Sequence, residues 1–74
     1  MARPRTEHLT DLQERILAVI RQSIADRGES PTLQEIGAAV GLGSRSAVHY
    51  QLAQIERKGA IARTPGQHRG LRLT

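Results

Sequence analysis

Leu12, Ile16, Ile20 and Ile24 recur every four residues, and Leu9, Leu17 and Val19 widen the same apolar stripe. That period belongs to a helix with one face turned inward. Thr10 stands before the stripe as an N-cap and Gln13 follows three positions on, the spacing of a capping box. Asp11 and Glu14 fall in the first turn, where the helix dipole favours acids. Gly28 supplies the stop, so the first helix is expected over residues 10–27. Ser30 precedes Pro31 and is steered away from helical angles, which makes 29–31 an extended link. Thr32 and Glu35 then repeat the capping signal, and Leu33, Ile36 and Val40 mark a second buried face that Gly41 closes after barely two turns. A helix so short does not persist alone in water, so packing on its neighbours must hold it.

Ser44 caps a third helix that reaches about Lys58, before Gly59. Val48, Leu52 and Ile55 share one face. At about 100° per residue, Ser46, Tyr50, Ala53 and Arg57 fall near the opposite side, flanked by Ala47 and His49. After Gly59 the period shortens: 60–64 alternate loosely, Pro65-Gly66 is a turn signal, and 70–74 alternate clearly. Two short strands around a turn make a hairpin, with Gln67, His68 and Arg69 at its tip. A lone hairpin is marginal in water, so Ile61, Leu71 and Leu73 are expected to pack back onto the helices. The pattern therefore predicts a mainly α fold, a three-helix core with a small C-terminal β-hairpin over residues 9–74. Residues 1–8 read as a flexible basic arm, in which Arg3 and Arg5 either meet phosphates loosely or are simply solvated.

Composition narrows the function. Seventy-four residues make one domain, and a domain of this size hides only about 60% of the surface its unfolded chain exposes. There is no Cys, Phe or Trp and a single Tyr, so Leu, Ile, Val and Ala must build the core, without disulfides or thiolate metal sites. That is too little for an enclosed active site. His8, His49 and His68 have no acid at triad or metal spacing, and no glycine-rich phosphate cradle is present; neither an enzyme nor a cofactor, metal or small-molecule ligand is expected. No apolar run approaches the ~20 residues that span a bilayer, and the basic start is not followed by the apolar stretch of a secretory signal. A cytoplasmic location is expected, on the nucleoid when bound.

The net charge of +4 is unevenly placed. Residues 1–36 carry five basic and six acidic side chains, whereas 37–74 carry Arg45, Arg57, Lys58, Arg63, Arg69 and Arg72 against Glu56 alone. A one-sided field of this kind draws in a polyanion. Charge by itself does not choose among nucleic acid, an anionic membrane and an acidic protein.

The join between the second and third helices makes the choice. Gly41-Leu42-Gly43 is a tight connection in which Gly41 can take positive φ and Leu42 can drop between the helices to meet Ile36, Val40 and Val48. The outer face of the third helix is then free to enter the major groove of B-DNA, ~12 Å wide. Ser46 and His49 suit base edges or else belong to an ordinary solvated helix face, Ala47 suits a thymine methyl group, and Ala53 permits close approach. Tyr50 either joins that face or packs at the edge of the hairpin. Ser44 serves as a cap, as part of a phosphate site at the helix N-terminus, or as both. Arg63 and Arg69, with Gln67 and His68, suit contacts to the DNA backbone that fix register, or else form a solubilising basic hairpin. Arg45 and Arg57 complete the candidate backbone contacts, although Arg57 and Lys58 sit where any helix end favours cations.

Thr32 to Gly59, then Pro65-Gly66 and Arg69-Gly70-Leu71-Arg72-Leu73, resemble the N-terminal DNA-binding domain of LexA-family repressors. Leu9-Thr10 with Gln13, Ile36, Val40-Gly41-Leu42, Ala47-Val48, Leu52 and Glu56-Arg57-Lys58-Gly59 carry the likeness, which covers nearly the whole chain. It implies a winged helix-turn-helix fold with a C-terminal wing. It also implies base contacts from Ser44, Ser46, Ala47, His49 and Tyr50, and a wing contact from 67–69. Dimeric binding to palindromic operators and repression of SOS-response genes follow from the same resemblance. Four departures stand out. The family's self-cleaving serine–lysine protease half is absent from these residues. The 29–31 link differs from the usual aromatic-Pro-Pro, and Gly37 replaces a common alanine at a helix-propensity cost of ~1 kcal/mol. Arg45 and Tyr50 give the reading face a character of its own.

The expected function is a sequence-specific regulator of transcription that binds double-stranded DNA, LexA-like but without the protease domain, monomeric in solution and pairing on a two-fold site. The alternatives are a winged-helix protein-interaction module, and a non-specific DNA-binding or replication accessory domain.

Overall fold

The computed structural model describes residues 8–63 and 71–73. They form α1 (Asp11–Arg27), α2 (Leu33–Val40), α3 (Arg45–Arg57), β1 (Ile61–Arg63) and β2 (Leu71–Leu73). Most of the basic arm and the connection 64–70, with Gln67, His68 and Arg69, lie outside the described residues.

The helices start where their caps put them. Thr10 Oγ1 accepts the Gln13 amide at 3.1 Å while Gln13 Oε1 accepts the Thr10 amide at 3.1 Å. Thr32 and Glu35 reproduce the exchange at 3.1 and 2.9 Å. Each box satisfies two amides that the helix cannot pair itself. Gly28 and Gly41 end α1 and α2 at φ 77° and 82°, a left-handed conformation that costs a glycine nothing.

One small core holds these elements together. Ile16, Leu17 and Ile20 of α1 meet Ile36 and Val40 of α2, Val48, Leu52 and Ile55 of α3, and Ala60 and Ile61 beyond it. Leu42 packs partly buried against this cluster, in the angle between α2 and α3. The eight residues of α2 pack on both α1 and α3, which supplies the support its length demands.

β1 and β2 run antiparallel, with Ile61 opposite Leu73 and Arg63 opposite Leu71. Ile61 is buried and Leu71 rests partly buried on the core. Leu73 departs from the expectation that it packs back: it is 36% exposed. The reason lies in the layering, because β1 is the strand that packs on α3 and β2 lies outside it. The result is the winged helix-turn-helix arrangement.

Gly37 also means more than a loss of helix propensity. A β-carbon there would stand 3.0 Å from the Leu42 carbonyl oxygen and 3.2 Å from Val48 Cγ2. The missing side chain lets α2 and α3 approach at the turn that aims α3.

Candidate nucleic-acid interface

α3 is anchored by Val48, Leu52 and Ile55, and this burial fixes which residues face water. Ser44, Arg45, Ser46, His49 and Tyr50 are exposed, while Ala47 and Ala53 are half-buried. Tyr50 is 60% exposed and so belongs to the outward face rather than to a packed edge. Arg45, Ser46, His49, Tyr50 and Ala53 line one shallow depression together with Leu33 of α2. Sequence periodicity assigned Leu33 only to the core, because its second role depends on how the two helices cross.

The start of α3 differs chemically from the other two. Ser44 Oγ accepts the Ala47 amide at 3.1 Å, which leaves its hydroxyl proton available for donation. The third helical residue is Ala47, so no side chain returns the bond, and the first turn contains no acid. α1 and α2 both place acids in their first turns. The positive end of the α3 dipole therefore lacks a carboxylate of its own, beside the exposed Arg45.

The remaining cations divide by partner. Arg57 is exposed at the last turn of α3. Arg63 Nε lies 3.3 Å from Glu56 Oε1, so this half-buried guanidinium already has an acid beside it. Lys58 is more than a helix-end cation: its Nζ donates to Gln13 Oε1 of α1 at 2.6 Å. Arg27 donates to Ser23 Oγ at 2.8 Å and pairs with Glu35 at 3.2 Å. The hydrogen bond with Glu35, followed by that carboxylate's charge, raises the Arg27 pKa. This pair borders a groove between α1 and α2 that shares no residue with the depression on α3.

Among the described residues no cluster of His, Asp and Glu could hold a metal ion. No helix among them is long and apolar enough to cross a membrane.

The profile of the family described as the LexA DNA binding domain matches residues 6–70. This chain belongs to that family. It is 51% identical over 61 residues to a LexA repressor of Streptomyces coelicolor, covering 82% of this chain and 26% of the relative. A LexA repressor of Mycobacteroides abscessus is 47% identical over 68 residues, 92% of this chain and 30% of the relative. One from Corynebacterium efficiens is 45% identical over 69 residues, 93% of this chain and 30% of the relative. The chain thus spans between a quarter and a third of the length of these LexA repressors. The shared region is the winged helix-turn-helix unit.

Proposed function

We propose that this domain reads a specific sequence in double-stranded DNA and represses transcription by occupying it. One observation carries the reading: Ser46, His49 and Tyr50 stand exposed together on α3, backed by the buried Val48, Leu52 and Ile55. A helix of this diameter fits the major groove. Ser46 and His49 hydrogen-bond base edges there, and Ala47 meets a thymine methyl group. Tyr50 lies over the bases, and Ser44 joins it at the groove floor. Arg45, at the uncompensated start of α3, takes a backbone phosphate, as do Arg57 and Arg63, the latter in competition with Glu56. Gln67, His68 and Arg69 extend the backbone contacts along the wing. Two copies pair on a palindromic operator in the cytoplasm, and polymerase is excluded from the occupied duplex.

Selection from random duplexes, followed by sequencing of the bound pool, tests the proposal directly. An enriched half-site is the expected outcome. Affinity for that duplex should fall with log salt at a slope of about −4 to −5 if one copy neutralises roughly five phosphates. No enrichment together with a flat salt response would overturn the reading.

A further inference from the structure

Gln13 has two sets of partners. Within α1 it completes the capping box with Thr10. Across the fold, its Nε2 donates to Gln51 Oε1 at 3.0 Å and its Oε1 accepts from Lys58 Nζ at 2.6 Å. Chemistry fixes which way this amide points. The Thr10 N–H and the Lys58 ammonium can only donate, so both must meet the oxygen. The side chain is almost wholly enclosed, with Gln13 at 4% exposure. Gln51 and Lys58 are seven residues apart and share nearly one bearing on α3, two turns from each other.

α2 provides an internal comparison. Its capping box has Glu35 in the place of Gln13, and Glu35 likewise holds a cation from another helix, Arg27. There the carboxylate cancels the charge. Lys58 is held instead by a neutral oxygen. Arg27–Glu35 and Arg63–Glu56 are ion pairs among the described residues, and neither includes it. A carboxylate at position 13 would serve the box and grip the ammonium more strongly, with Gln51 turning its own amide N–H toward it in place of the bond it now accepts. What the glutamine adds is a lysine pinned in place with its full charge outstanding.

The place where it is pinned matters. At about 100° per residue, Lys58 lies roughly 80° around α3 from Tyr50 and about 20° from Ala47. It caps α3 on the side that faces α1, about 12 Å along the helix axis from Tyr50. We infer that Lys58 is a DNA-phosphate contact beside the reading helix and that Gln13 is the positioning residue that aims it without neutralising it. The inference rests on the duplex-reading function of α3.

The experiment uses Gln13→Glu, Lys58→Gln and the double variant on the duplex recovered by selection, with a thermal melt of each. Gln13→Glu should melt at or above the parent temperature yet bind about five- to tenfold more weakly at 0.1 M salt, with a salt slope shallower by about one. Lys58→Gln should show the same loss and slope, and the double variant should lose nothing further. Parent-like binding by Gln13→Glu or by Lys58→Gln overturns the inference, as do losses that multiply in the double variant. Those results leave the duplex-reading function standing. A parent chain that binds no duplex overturns both.

Discussion

Gly37 and Val48 approach so closely that a β-carbon on the glycine would lie 3.2 Å from Val48 Cγ2. The same residue's carbonyl accepts the amides of Gly41 and Leu42, both at 2.9 Å. One position thus closes α2 and sets its distance from α3. The outward bearing of Ser46, His49 and Tyr50 depends on that spacing.

Substitution at Gly37 should therefore be graded by size. Gly37→Ala gains ~1 kcal/mol of helix propensity but must move its neighbours by a few tenths of an ångström. The two effects should leave stability within about 1 kcal/mol of the parent. Gly37→Val overfills the gap and should destabilise by about 2–3 kcal/mol in urea unfolding. An unchanged midpoint for the valine variant would mean that α2 and α3 have slack to spare.

The two strands should respond unequally. Ile61 is buried against the helices, and Ile61→Ala should cost about 2–4 kcal/mol, a large share of the stability of so small a domain. Its cross-strand partner Leu73 faces partly into water, and Leu73→Ala should cost less than about 1 kcal/mol. Equal losses would show that the outer strand carries core weight after all.

Contacts to bases and to phosphates should separate in binding. Ser46→Ala and His49→Ala should each relax preference at particular base pairs, by about 1–3 kcal/mol of discrimination. Arg45→Ala should weaken specific and random duplexes alike and make the salt slope shallower by about one. If all three variants behave identically on specific and random DNA, bases are read by other residues.

Local signals made most of the architecture legible. Thr10 with Gln13, Thr32 with Glu35, and Ser44 announced three helix starts, and Gly28 and Gly41 announced two ends, because caps and left-handed glycines act within a few residues of themselves. The spacing of Val48, Leu52 and Ile55 likewise fixed the outward side of α3. Interactions between distant positions stayed hidden. Nothing near Lys58 in the chain says that it reaches Gln13, 45 residues earlier. Nothing near Gly37 says that Val48 crowds it, and the alternation of Leu71 and Leu73 does not tell which strand lies outermost. The pairing of Arg63 with Glu56 joins a strand to a helix and leaves no periodic trace.

Tyr50 is the single aromatic residue of the chain, and it already stands in water when the protein is folded. Its fluorescence should therefore change little as urea dismantles the core, yet dim when stacked bases surround the ring. On the proposed function, this ring should act as an optical gauge that responds more to occupancy than to unfolding. With Tyr50 on the proposed DNA-reading face, titrations with nucleic acid should be measurable through its emission without a label.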